Sequence, residues 1–384
     1  MALAVFIPDR YESRYSLLAA MSKEIAEAMR AAGAEINPTR SIPGSEPTLH
    51  LFFNLPAKID ELLAWAKPER PRAVLIQYFV DHPFALNMEF LDRMATLKNF
   101  RLAMPCLDDR AMFTLKWPTL KTVTCAHAVP SSALCESVDI PSRSREVLIA
   151  GTIATDDELR AFLRPVPELL HKPCEHAAEL IAHNPSLSFV QAFELTVPPG
   201  LLANDYWLLM QICSRYVVAK ANRIRRIAAV NALQGLPVAV HGPEVWKELC
   251  TGTIEYRGEL PYDKVAETMR ASRVMLAWNP TQFTHTFSER VLLSMASGCA
   301  TLTDGRPLVR SQFAADASGP CVAMYRSDDH ASLRDQADRL LKDDAYAGEI
   351  AAAGRACVER SHLWKHRVDL LGRIVLDVLQ TQMQ

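Results

Sequence analysis

The chain has 384 residues, 49% of them hydrophobic, enough for two to three domains that each bury a core. Forty-two basic residues against 44 acidic give a formal net charge of -2, which argues against nucleic-acid partners and against any overall attraction to an anionic membrane. Fourteen glycines and 24 prolines without a period exclude collagen-like and low-complexity classes, and nine singly scattered cysteines without a C-x-x-C pair argue against a disulfide framework or a zinc ribbon.

The first apolar run meets Asp9 and Arg10 after seven apolar or small residues, too short for a signal peptide. No run of about 18 apolar residues follows, so a cytoplasmic location without a membrane span is expected, peripheral contact remaining open. Apolar runs at 3–8, 49–53, 73–78, 101–105 and 120–124 predict strands. Amphipathic stretches lie between them, such as 15–32, ended by Gly33, and 57–66, ended near Pro68. The polar segment 129–145, with Pro130 and Pro141, reads as a domain boundary. A second strand series is predicted at 146–150, 237–241, 253–256, 274–278, 299–303 and 321–325. Residues 156–234 between its first two members are mostly helical in pattern, longer than one crossover, and the chain ends in helical pattern as well. Strands alternating with helices predict an α/β protein of two doubly wound, Rossmann-like domains facing a central cleft, the second carrying a helical insertion. The divisions expected are 1–140, 141–360 and a final helix at 361–384. Neither a G-x-G-x-x-G after a strand nor a G-x-x-x-x-G-K-[ST] occurs, which removes the main support for dinucleotide oxidoreduction and P-loop chemistry.

The most informative stretch runs from Ala277 to Asp304 and reads strand, polar loop, helix, glycine, strand. A helix starting near Thr286 would aim its first amides and positive dipole end at a phosphate or diphosphate, with His285 and Arg290 adding donors. The alternative is local: Thr286-Phe-Ser-Glu289 has capping-box spacing and would serve only its own backbone. Lys220, Arg223 and Arg226 recur at spacings of three on a helical run, either as a phosphate clamp or as a solvated basic face. Gly151, just past the first strand of the second series, could bring backbone N–H groups to a ligand. His171 and His176 flank Cys174, but Pro173 interrupts the periodicity and no second half of a site follows, so no metal is expected.

Four blocks, in order, resemble the donor-binding half of the GT-B glycosyltransferases. They are Val-Ala-Val-His-Gly-Pro-Glu-Val-Trp at 238–246, Ile-Glu-Tyr-Arg-Gly-Glu-Leu-Pro-Tyr-Asp-Lys-Val at 254–265, Ala-Ser-Arg-Val-Met-Leu-Ala-Trp-Asn at 271–279, and the strand, loop, helix and following strand from Ala277 to Asp304. The chain also resembles the bacterial CgeB-like enzymes, which show an R-x-F-E-x-x-A-x-G block and a closing H-x-x-x-x-R helix, here His362 to Arg367. The resemblance covers roughly 147–367 and is weaker before 145. It implies a cytoplasmic, bacterial, metal-independent transferase that needs no cofactor, moving a sugar from a nucleotide-sugar donor, such as a UDP-sugar, to a protein, lipid-linked or saccharide acceptor. It further implies that His241 and Gly242 lie near the donor, that Arg257 and Leu260 run past the base, and that Asn279 with Thr284, His285, Thr286, Phe287, Ser288, Glu289 and Arg290 meet the diphosphate and sugar. The last helix would pack back on the first domain. Where related enzymes place a Glu five residues before the helix-terminal glycine, this chain has Leu293. An inverting reaction needs a base to take the acceptor's proton. Asp81 and His82, after the 73–78 strand, are the first choice, ahead of Asp9, Glu12, Asp108 and Asp109; Asp81 could equally cap a turn at Pro83. Two further readings stay open: a nucleotide-sugar epimerase of the same architecture and a non-catalytic nucleotide-sugar-binding partner subunit.

Overall fold

A computed structural model describes residues 4–7, 17–37, 48–53, 73–80, 84, 88–202, 206–314 and 319–382. Asp9, Glu12, Asp81, His82 and the 57–66 stretch lie outside these residues. The chain divides into two compact units: residues 1–132 with 360–384, and residues 133–359.

In the first unit the strands are β1 (Ala4–Phe6), β2 (Glu35–Asn37), β3 (Thr48–Phe53), β4 (Ala73–Tyr78), β5 (Phe100–Met104) and β6 (Thr122–Thr124), all parallel in the order β2-β1-β3-β4-β5-β6. β3, β4 and β5 are buried along their whole length, the pattern of a parallel sheet covered on both faces. The three-residue β2, which the pattern did not suggest, extends the edge beside β1. One face of this sheet is covered by the Leu17–Ala31 helix together with the Trp364–Gln382 helix from the far end of the chain. Trp364 is 1% exposed, stacks edge-on to Phe53 and Tyr78, and donates its Nε1–H to Glu24 at 2.9 Å. Arg367 anchors the start of that helix by donating to the carbonyls of Ala126 and His127.

The second unit contains β7 (Ser144–Ala150), β8 (Val238–His241), β9 (Ile254–Tyr256), β10 (Ser272–Leu276), β11 (Ala300–Asp304) and β12 (Ala323–Tyr325). Its parallel order, β12-β11-β10-β7-β8-β9, reverses direction between β7 and β10. Between β7 and β8 stand the Asp156–Leu163, His171–His183, Phe189–Thr196, Pro199–Leu202 and Tyr206–Ala232 helices. Capping boxes at Thr155/Glu158 and Ser188/Gln191 start two of them. Pro173 falls in the first turn of its helix, where a missing N–H removes no hydrogen bond, so the periodicity it was expected to break continues. No helix among the described residues is long and apolar enough to cross a membrane, and none of their His, Cys, Asp and Glu form a group that could hold a metal ion.

Candidate functional site

A doubly wound sheet opens a crevice where adjacent strands send the chain in opposite directions, outside their carboxyl ends. In the second unit that point lies past Ala150 of β7 and Leu276 of β10, so Gly151 and the Trp278–Asn279 pair stand at its mouth. Gly242, past β8, allows the closure: a Cβ there would sit 2.3 Å from the Gly151 carbonyl and 2.6 Å from the Trp246 ring. Trp246 then donates its Nε1–H to that carbonyl at 2.8 Å, and the Tyr256 hydroxyl donates to the Gly242 carbonyl at 3.1 Å. His241 holds Gly258 through Nδ1 at 3.3 Å, which fixes Nδ1–H as donor. Burial moves its pKa below the ordinary value, the Gly258 bond opposing and the Arg257 charge reinforcing that shift.

Three arginines converge on this mouth. Arg226, 8% exposed, donates to the Thr152 carbonyl and lies 5.6 Å over the Trp278 ring. No carboxylate pairs with it among the described residues. Burial, then the charges of Arg290 and Arg225, push its pKa down to about 9. Arg290, 28% exposed in its side chain, reaches to within 3.5 Å of the space a Gly151 Cβ would fill, and its one carboxylate among the described residues, Glu289, is 3.9 Å away. Arg225 is matched instead by Asp304 at 3.0 Å. Arg226, Trp278 and Asn279 also wall a small solvent-open pocket of about 40 Å³ together with Asn222, Arg225 and Tyr325.

The helix expected at Thr286 spans Glu289–Ala296, with extended Ser288 as its N-cap. The capping box does not form, because Thr286 precedes the helix by three residues and is fully buried. The Thr286 and Ser288 hydroxyls are buried without a hydrogen-bond partner. The helix ends in a Schellman motif, Gly298 N–H to Met295 O and Cys299 N–H to Ser294 O, with Gly298 at φ 67°.

Several expected contacts have other partners. Gly151 has its N–H bound to the His241 carbonyl at 3.0 Å, so it is the carbonyls of Thr152 and Ala154 that reach side chains, those of Arg226 and Arg223. Arg223 pairs with Asp156 at 3.2 Å and is held within the insertion, away from a clamp role. Arg257 is occupied by Glu146 and Glu255, both at 2.8 Å, which raises its pKa; Leu260 of the same loop is half-buried. Asn279 is fully engaged inside: its Oδ1 accepts the Ser288 N–H at 2.8 Å and its amide donates to Thr303 and Asp304. Phe287 is 0% exposed and packs 4.9 Å from Phe313, a core role. Thr284 is buried and His285 half-buried in the loop before it; Lys220 is half-buried and has no ion pair among the described residues. Trp278, Arg225, Asp304 and Arg306 were not anticipated, since their partners lie up to 79 residues away. In the first unit Asp109, just past β5, has a carboxyl raised well above its ordinary pKa by burial and by the neighbouring Asp108 charge, with a Cys106 hydrogen bond opposing.

Residues 223–372 match the family model described as "Glycosyl transferase-like". The DNA-modifying β-glucosyltransferase, solved with and without uridine diphosphoglucose, is similar over 98% of this chain and 99% of its own, at 10% identity and a TM-score of 0.54. The T4 phage β-glucosyltransferase in complex with UDP and Mn2+ gives 98% and 99%, 10% identity and a TM-score of 0.53. AviGT4, a glycosyltransferase of avilamycin A biosynthesis, gives 99% and 98%, 12% identity and a TM-score of 0.50. A search of the curated proteins found no match. The chain thus has the two-sheet α/β fold of the GT-B glycosyltransferases and matches a glycosyl transferase-like family model over residues 223–372.

Proposed function

We propose that the protein is a glycosyltransferase of the cytoplasm that takes a nucleotide-activated sugar, a UDP-sugar first among them, and passes the sugar to an acceptor hydroxyl. The observation that carries this is the pair Arg226 and Arg290 at the switch point of the second sheet: among the described residues Arg226 has no carboxylate partner and Arg290 has only Glu289, at 3.9 Å. A buried guanidinium beside two others is costly unless an anion enters, and a donor's diphosphate supplies that charge. The first amides of the Glu289–Ala296 helix and the orphan Thr286 and Ser288 hydroxyls offer further donors nearby. As the glycosidic bond breaks, negative charge grows on the leaving diphosphate, and fixed cations lower the barrier most where they meet growing charge. In this reading the arginines do what a divalent ion would do, so transfer is metal-independent. His241 lies at the base end, with neutral Nε2 available as an acceptor, and Glu289 faces the sugar. Asp81 and His82 are proposed to take the acceptor's proton.

The test is a panel of UDP-, GDP-, dTDP- and CMP-sugars, read by thermal shift and by donor hydrolysis, with and without EDTA. Stabilisation by one nucleotide class and hydrolysis that survives EDTA are expected; no stabilisation by any donor overturns the reading. An isomerised donor formed without acceptor would mark an epimerase instead.

A further inference from the structure

The stretch from Asn279 to Ser288 links β10 to the helix that carries Glu289 and Arg290, and it has no regular secondary structure of its own. Ten residues of loop would ordinarily sample many conformations. Here two sets of side chains hold it, both from elsewhere in the sequence.

The first set is the end of β11. Arg306, 1% exposed, makes a fork: Nε to Asp304 Oδ2 at 2.6 Å, Nη1 to the carbonyls of Pro280 at 2.8 Å and Phe283 at 2.6 Å, and Nη2 to the Asn279 carbonyl at 2.6 Å. Asp304, 0% exposed, accepts from the Asn279 N–H at 2.9 Å and the Asn279 amide at 3.0 Å, while its other oxygen takes Arg225. Asn279 passes the constraint on to the Ser288 N–H, the N-cap of the helix. The second set is on the Tyr206–Ala232 helix, where Asn222 accepts from the Thr281 N–H at 2.8 Å and donates to the Gln282 side chain at 3.3 Å. Arg306 and Asp304 touch three backbone carbonyls and two donors of one loop, an arrangement that only a planar five-donor fork can satisfy; a lysine has neither the reach nor the geometry.

We infer that Arg306, with Asp304 and Asn222, is a positioning residue: it holds the 279–288 loop so that Arg290 and the first turn of the following helix stay aimed at the diphosphate. The inference rests on the donor site proposed above. It assigns to Arg306 no contact with the donor. Arg225 belongs to both structures, since it shares Asp304 with Arg306 and a helix turn with Arg226, so the clamp also fixes the spacing of the cationic group.

The experiment combines Arg306→Lys, which keeps the charge and loses the fork, with Asn222→Ala, which cuts the half-buried second tie and leaves the buried pair intact. Amide hydrogen exchange of the ligand-free proteins reads the loop directly, and affinities for UDP and for uridine separate the diphosphate from the base. Both variants are expected to speed exchange in 279–288 and little elsewhere. UDP binding should weaken by about tenfold or more in Arg306→Lys and by about threefold in Asn222→Ala, with uridine within twofold of wild type. A merely structural role would lower both affinities together or neither. Unchanged exchange in 279–288, or equal losses for UDP and uridine, overturns the inference; should Arg306→Lys fail to fold, Asn222→Ala decides it by the same criteria. If the wild type binds neither UDP nor any other nucleoside diphosphate, the donor reading falls, and the exchange data still decide whether the clamp exists.

Discussion

Replacing Arg226 by Met should make the ligand-free protein more stable and the site worse. At about 1.4 kcal/mol for each tenfold change in proton affinity, a guanidinium brought from 12.5 to about 9 by burial and by Arg290 and Arg225 carries roughly 5 kcal/mol against its charge. The variant loses the bond to the Thr152 carbonyl, of order 1.5–3 kcal/mol for a charged donor, and the guanidinium's contact over the Trp278 ring, about 0.5–1 kcal/mol. The balance is a gain of about 2 kcal/mol, in the range seen when buried ions give way to apolar side chains of similar volume. For a domain of this size that corresponds to a rise in Tm of about 4–8 °C. UDP, the anion proposed to close that gap in charge, should bind at least ~10-fold more weakly to the variant than to the wild type. Thermal melts with and without a UDP titration measure both quantities at once. A variant that melts lower than wild type without ligand, or binds UDP as tightly, would refute the reasoning that this charge is held in the fold for an anion.

Gly242→Ala should cost several kcal/mol, seen as a large loss of Tm or of soluble yield, because its Cβ would meet the Gly151 carbonyl at 2.3 Å. Gly258→Ala, at φ 82° in open space, should cost only about 1–2 kcal/mol in the same melt. Asp304 lies well below the ordinary carboxylate pKa: burial would raise it, but Arg306, Arg225 and the Asn279 N–H prevail. A depressed carboxylate stabilises fully above its unfolded pKa near ~3.9 and loses that contribution as pH falls further; Asp304→Asn should therefore destabilise at pH 7 and flatten the acid limb of a Tm-against-pH curve. Phe287→Ala should lower stability by about 3–5 kcal/mol, by removing a fully buried ring packed on Phe313. Asp81→Asn should lower kcat by ~100-fold or more with the donor KM within twofold, read in a coupled transfer assay.

Most of the architecture is legible in local pattern. The 73–78 run Ala-Val-Leu-Ile-Gln-Tyr is buried at every position and could only be an interior strand, and the six strands of the second sheet fall within two residues of the apolar runs that mark them. β2 escapes because three residues of Glu-Ile-Asn carry no period. The site is less legible. Arg226 stands out by spacing, yet that no carboxylate meets it among the described residues is a matter of tertiary packing, which spacing does not carry. The start of the Glu289–Ala296 helix is misread by three residues, since Thr286 has cap chemistry while Asn279 and Arg306 hold the loop extended up to Ser288. Arg225 and Asp304 are 79 positions apart, and no local pattern couples them.

The Trp364–Gln382 helix lies in the core beside β3 and β4, with Trp364, Leu371, Val375 and Val378 among its buried members. During synthesis, residues 133–359 form one uninterrupted stretch and can fold as soon as they emerge, whereas the first sheet keeps part of one apolar face, the part not covered by the Leu17–Ala31 helix, open until the Trp364–Gln382 helix is made. The half that is translated first is therefore completed last, and truncation near residue 363 would leave it a chaperone client while sparing its neighbour.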